Sequence, residues 1–367
     1  MGEVISDTLN ELRLDAHPEK SGVLMYGAEI DKFKKELEDD PAYVQGFKLA
    51  FKESETYLGM VFTKGGASDS IYKTLEIRRG KCLAKAADIK RKLDDERMEG
   101  VGWLAGVILL YNSIIVSTLT YGAAAFTGLE KRHWDLLESI QRQCLIHILG
   151  ISNKTTHQSL LYVLGISPVK DVVKKLQVSF MNNLVHIKGS GQCLETLKDD
   201  YKLGDVKGLI GEVKEHCKEF GLDDVMETYI HPQVIKKKIE RVVLDRQWIR
   251  DLKAKKPPLS IRRDDRKQRF YTTLPKNKAK LMLCYELGDL NFRKSRKSEA
   301  MKKFGSYECL VPHCREEDSL EHVRTCDGYS SRLKDSAGPY ELIDYLAELE
   351  LERNKRFRKS LINFKTL

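Results

Sequence analysis

The sequence predicts a mainly α protein with a small α/β portion at its N-terminus and a small zinc module near its C-terminus. Three observations lead there. From Ser70 to about Lys188 apolar residues recur at helical spacing between short, glycine-marked breaks. The first sixty-odd residues instead alternate turns, short apolar runs and one charged helical stretch. Finally, three cysteines and a histidine cluster between Cys309 and Cys326.

The chain has 367 residues, enough for two or three domains. Apolar residues make up 41% and charged residues 32%, which excludes an intrinsically disordered chain. The net charge of +9 is unevenly placed. Between Ile235 and Gly305, 23 Lys and Arg stand against 8 Asp and Glu, so the remainder is slightly acidic. A concentrated basic stretch points to a polyanion, most often nucleic acid.

Along the N-terminal portion, His17-Pro18 marks a turn before a short strand from Gly22 to Tyr26. Lys32 to Glu38 reads as a charged helix, and Phe51 to Phe62 as a strand with a glycine inside it. The helical region follows. Ile71, Leu75, Ile77, Leu83 and Ile89 mark a first helix from Ser70 to Leu93, and Val101 to Thr120 a second, strongly apolar one. Glu130 to Leu149 carries Trp134, Leu137, Ile140, Leu145 and Ile148 on one face and ends at Gly150. Thr156 to Leu164 stops at Gly165, and Val169 to Ile187 stops before Gly189-Ser190-Gly191. Helices joined this tightly form a bundle. Gln192 to Lys256 holds one or two helices broken near His231-Pro232 and stopped by Pro257-Pro258, and a last helix follows Gly338-Pro339.

No charge falls between Gly100 and Leu129, a length that could span a bilayer. Asn112, Ser113, Ser117, Thr118, Thr120 and Gly122 interrupt it, so it reads as a buried core helix, and no membrane partner is expected. The N-terminus lacks the apolar core of a secretory signal, although Met1-Gly2 with Ser6 fits a bare myristoylation pattern. Eight cysteines, five of them scattered, suit a reducing intracellular setting, cytoplasmic or nuclear.

The cluster has the spacing Cys309-x4-Cys314-x7-His322-x3-Cys326. Three thiolates and an imidazole close a tetrahedral zinc shell and leave no open position, so the metal is expected to be structural. His313 is an alternative ligand, and Glu321 is placed to orient the imidazole. In the basic stretch, Arg262, Arg263, Arg266, Lys267, Arg269, Lys276, Lys278, Lys280, Arg293 and Arg296 are interleaved with Phe270 and Tyr271. Cations would meet phosphates there and rings would stack on bases. Lys236 to Lys238 begin the same stretch.

Several of these pieces, in this order, resemble the C-terminal part of a non-LTR (LINE-like) retrotransposon reverse transcriptase. The segment around Lys20 resembles the family's turn-lysine-strand motif, and Tyr57-Leu58-Gly59 its primer-grip strand. Tyr121-Gly122 resembles the pair that ends a thumb helix. Gln141 and Leu149-Gly150 match the next thumb helix, and the run into Cys309 and Cys314 resembles the approach to the family's knuckle. The resemblance covers nearly the whole chain. It implies the end of a polymerase palm over residues 1–66, a helical thumb over 67–190 and a helical connector over 191–258. A basic segment over 259–304, a CCHC knuckle over 305–330 and a C-terminal helix over 337–363 complete it. It further implies RNA or DNA, and an upstream polymerase portion, as partners.

The chain departs from the family in having Ala124 and Phe126 where an acidic residue and a Trp stand, and Cys284 or Tyr285 in place of an Arg. The family's metal-binding aspartates lie upstream of the lysine motif and are not in this sequence. Nucleotidyl transfer needs carboxylates holding two divalent metals, magnesium in the intact polymerase. The adjacent acids Asp39-Asp40, Asp199-Asp200, Asp223-Asp224 and Asp264-Asp265 sit in polar contexts that suit solvated surface. The expectation is therefore a transposable-element fragment that binds nucleic acid without catalysis of its own, with Lys20 a weak catalytic candidate. The competing reading is a zinc-stabilised helical protein-interaction module from a decayed or repurposed element.

Overall fold

A computed structural model describes residues 2–17, 21–25, 30–39, 41–93, 102–151, 153, 155–186, 195, 208–253, 274–287, 314 and 326. These residues are mainly helical, with three two-stranded sheets confined to the N-terminal portion. The chain gathers into two compact units that interleave along the sequence. One comprises Met1–Ala84, Val116–Gln141 and Pro168–Arg241, the other Lys85–Ile115, Arg142–Ser167 and Val242–Leu367.

In the first unit, helix α1 (Gly2–Glu11) precedes β1 (Gly22–Val23) and α2 (Ile30–Asp39). Strand β1 pairs in parallel with β4 (Ala50–Phe51). Two antiparallel hairpins accompany it: β2 (Tyr43–Val44) with β3 (Phe47–Lys48), and β5 (Ser54–Tyr57) with β6 (Met60–Thr63). Each turns through two residues with positive φ, Gln45-Gly46 and Leu58-Gly59, the conformation that matches the right-handed twist of the strands. The segment expected as one strand containing Gly59 is thus a hairpin with that glycine at its tip, because a left-handed pair reverses the chain.

Helix α3 (Gly66–Leu93) buries Ile71, Leu75, Cys82, Ala86, Ile89 and Leu93 in one stripe. Arg78 takes the stripe position between Leu75 and Cys82 and is 4% exposed, whereas Ile77, one of the apolar residues that mark this helix in the sequence, is 49% exposed. The apolar segment after it forms α4 (Trp103–Leu110), a π-helical stretch (Tyr111–Val116) and α5 (Ser117–Leu119) in succession. Its buried residues Val107, Tyr111, Ile115 and Leu119 are spaced by four. In a regular α-helix that stripe would drift about 40° per step. Wider π-type turns absorb the drift and keep the four side chains on one face. Asn112, Ser113 and Ser117 are exposed. No helix among the described residues is long and apolar enough to cross a membrane.

Helix α6 (Lys131–Leu149) buries Leu137, Ile140, Cys144, Leu145 and Ile148 and ends at Gly150 with φ 63°. Helix α7 (His157–Leu164) starts at Thr156, whose hydroxyl accepts from Ser159 N, and stops at Gly165 in the left-handed region. Helix α8 (Val169–His186) follows. Next come α9 (Leu209–Phe220) and α10 (Pro232–Lys253), separated at His231-Pro232 as expected, and α11 (Lys276–Glu286).

Candidate nucleic-acid interface and metal centre

The β5–β6 tip presents Tyr57 and Leu58 at 65% and 69% exposure, and Tyr121 beside it is 59% exposed. A Cβ built on Gly59 would lie 3.5 Å from Tyr121 Cε1, and one on Gly122 would lie 3.6 Å from Met60 Sδ. Tyr57-Leu58-Gly59 and Tyr121-Gly122, far apart in sequence, therefore form one apolar, ring-bearing ledge. A Cβ at residue 59 would only touch the Tyr121 ring, so it is the positive φ of 75° that calls for glycine there.

Arg78 fastens this ledge from beneath. Its guanidinium donates to Leu119 O at 3.2 Å and to Gly59 O at 3.4 Å. It also lies 5.9 Å from the Tyr121 ring centroid and 5.5 Å from that of Phe126. Burial lowers its pKa from the ordinary arginine value, and the two ring faces help compensate the buried charge. Sequence reasoning missed this residue, since an arginine in an amphipathic pattern reads as solvent-facing.

The other N-terminal hairpin has the same turn and a different fastening. Gln45 N donates to Ser6 Oγ, its Nε2 donates to Asn10 Oδ1 and Leu14 O, and its Oε1 accepts from Ala16 N. Gln45 is tied down by its own side chain, whereas Leu58 projects an apolar side chain into solvent from a backbone conformation that leucine disfavours.

Of the other expected site residues, Lys20, Arg262, Arg263, Arg266, Lys267, Arg269, Phe270, Tyr271, Arg293, Arg296, Cys309 and His322 lie outside the described residues, as do Lys256 to Pro258 and the C-terminal helix. Lys276, Lys278 and Lys280 are half-buried on α11, whose Ala279, Met282 and Leu283 are buried, as is Leu274 just before it. At the start of the basic stretch, Lys238 Nζ donates to Gly221 O at the end of α9, and Lys236 Nζ lies 3.9 Å from Glu240. These two lysines have local structural partners.

Cys314 and Cys326 have their sulfurs 3.9 Å apart, with Cys326 buried and Cys314 half-buried. A disulfide needs about 2.05 Å. Two thiolates on one tetrahedral zinc, each at about 2.3 Å, stand about 3.8 Å apart. The two described members of the expected four-ligand set therefore fit a shared zinc. Among the described residues, no group of three or more His, Cys, Asp or Glu side chains is placed to hold a metal ion.

Two other polar clusters are structural in geometry. Ser68, His133 and Glu130 resemble a nucleophile-base-acid array, but Glu130 N donates to His133 Nδ1 at 2.9 Å, which makes Nδ1 the acceptor. Nε2 then carries the proton and donates to Ser68 O at 2.9 Å, while Ser68 Oγ donates to Glu130 Oε1 at 2.6 Å. The imidazole has no lone pair left for a nucleophile, and the cluster caps α6. Gln141, buried in α6, accepts from Val169 N at 2.9 Å and caps α8.

A buried network joins α8 to α9. His216 Nε2 lies 3.2 Å from Gln177 Oε1, and Gln177 Nε2 donates to Phe126 O at 2.7 Å. Glu212 accepts from Gly128 N at 2.6 Å, and burial raises its pKa. Burial, with the Lys174 ammonium nearby, holds His216 down to about 4 and hence neutral.

The class these features define is a mainly helical protein with an exposed aromatic hairpin ledge and a close thiol pair. Compared with protein-family models, curated proteins and solved structures, the chain matches none of them.

Proposed function

We propose that this chain is a nucleic-acid-binding C-terminal portion of a non-LTR retrotransposon reverse transcriptase, carrying one structural zinc and no nucleotidyl-transfer site of its own. The observation that carries the proposal is the ledge. The residues that resemble the family's primer-grip and thumb motifs, Tyr57-Leu58-Gly59 and Tyr121-Gly122, lie against one another with three large apolar side chains exposed. An exposed ring platform suits a nucleic-acid terminus, because every base has a face that stacks. The basic stretch supplies cations for the phosphate backbone. Cys314 and Cys326, at a separation suited to zinc, would be joined by Cys309 and His322, and the metal would fix the local fold.

The test is binding of an annealed RNA template and DNA primer, followed by fluorescence anisotropy. Replacing Tyr57 and Tyr121 together by Ala removes two exposed rings; Arg78 loses its contact with Tyr121 but keeps those with Phe126, Leu119 O and Gly59 O, so the fold is expected to persist. Affinity should fall by roughly 10- to 100-fold, from about 1–3 kcal/mol of stacking, with little change in salt slope because stacking releases no ions. If the parent does not bind, or the double variant binds equally well, the protein-interaction module becomes the better reading.

A further inference from the structure

Gly150, where α6 ends in the second unit, is approached by two ammonium groups from other helices of that unit. A Cβ built on Gly150 would lie 3.2 Å from Lys280 Nζ and 4.0 Å from Lys90 Nζ. The two nitrogens are therefore at most roughly 7 Å apart, within one Debye length at physiological salt. Both lysines are half-buried. Neither has a hydrogen bond or ion pair among the described residues. Lysines elsewhere do: Lys170 meets Glu138, Lys174 meets Glu219 and Lys64 meets Glu53.

Two like charges held together, with no carboxylate bonded to either among the described residues, are unfavourable until an anion joins them. The negative end of α6 attracts cations, which supplies a purely structural explanation. In its strongest form that explanation has the ammonium groups bonded to the last carbonyls of α6. Among the described residues, Ile146 O already accepts from Gly150 N at 2.9 Å and from Ile151 N at 3.4 Å. A tetrahedral oxyanion accepting from one ammonium on each side holds two nitrogens about 5–8 Å apart, which fits the pair.

The missing side chain at Gly150 keeps the space open. Continuity favours a polymer phosphate over a free one: Lys92 stands just beyond Lys90 at the end of α3, and Lys280 belongs to the basic stretch of the sequence.

We infer that Lys90 and Lys280 form a clasp over Gly150 that binds a backbone phosphate of single-stranded nucleic acid. The inference rests on the nucleic-acid reading above and adds a site to it. Lys90 lies outside the basic stretch, so charge counting along the sequence does not find it.

The test uses the full chain and a labelled single-stranded oligouridylate across a salt series. Lys90→Ala with Lys280→Ala should flatten the slope of log K against log salt by about 0.7, the value for one phosphate contact on a single strand. Affinity near 0.1 M salt should fall roughly 5-fold in consequence. The double Lys→Arg variant should keep the parental slope, and neither variant should melt below the parent.

An unchanged slope in the Ala variant, while the parent binds, overturns the clasp and leaves the broader nucleic-acid reading standing. A lower melting temperature that Arg does not restore points instead to a helix-capping role and also overturns it. Inorganic phosphate at constant ionic strength separates the two sources. If it raises the parent's melting temperature but not that of the Ala variant, and RNA affinity is unaffected, the ligand is free phosphate and the polymer assignment fails. A parent that binds no RNA removes both this inference and the function it rests on.

Discussion

At Leu58, local stability and exposure point in opposite directions. A leucine at φ 47° with 69% of its surface in water gains little burial and meets the Cβ–carbonyl crowding of the left-handed region. Asn followed by Gly is the pair best suited to such a turn. Leu58→Asn is therefore expected to stabilise the protein by about 1 kcal/mol, read as a higher urea midpoint at unchanged m-value. If the ledge engages nucleic acid through its apolar tip, the same variant should bind primer-template more weakly. A variant both more stable and equally competent would show that the leucine serves no contact. The glycine at the tip was legible in the sequence as a motif, but its place at a turn was not, because an apolar run around one glycine also fits a continuous strand. Arg78 was hidden for a related reason. Its burial depends on two carbonyls and two aromatic rings contributed by segments distant in sequence, and no local pattern encodes them.

Among the helices, α8 and α9 carry the clearest pH dependence. His216 is held neutral by burial and by Lys174, which itself pairs with Glu219 at 2.6 Å. Glu219 pulls the other way, from 4.0 Å, and Gln177 accepts from the neutral ring. With a folded pKa of about 4 against 6.5 when unfolded, the unfolded chain binds the extra proton first as pH falls. This stabilisation is thus complete above pH 6.5 and is lost progressively toward pH 4, by up to about 3 kcal/mol. His216→Gln can keep a donor toward Gln177 without titrating. Urea unfolding across that pH range should show the parent losing stability faster than the variant, and parallel curves would contradict the assignment. Helix ends were the most legible features at this scale. Thr156, Gly150 and Gly165 are residue types whose chemistry stops or starts a helix by itself. The π-helical stretch was not legible as such, although the four-residue spacing from Val107 to Leu119 is its trace. Helix α1 was also unforeseen: its Ser6 and Asn10 bond to Gln45, more than thirty residues away.

At the scale of the molecule, the segments of the two units alternate along the chain. The units are formed by pairings between distant segments, and long-range pairing leaves no compositional mark. The cysteine-histidine cluster differs in kind, since its four proposed ligands fall within one short stretch and the chemistry is carried by residue type and spacing alone. The 3.9 Å between Cys314 and Cys326 sulfurs suits thiolates sharing a metal and is too long for a bond between them. Elemental analysis of purified protein is expected to find one zinc per chain. Zinc binding to such a site is worth on the order of 10 kcal/mol of local folding free energy. Cys314→Ser should thus lose the metal and open the segment around Cys309 to Cys326 to protease, while the helices α3 to α8 keep their far-ultraviolet signal. Chelation of the parent should reproduce that digestion pattern, and zinc, but not magnesium, should reverse it. A metal-free parent that resists protease as the zinc-loaded one does would mean that the thiols pack as buried apolar groups. In that case the proposed zinc, and with it the zinc-stapled form of either functional reading, would have to be given up.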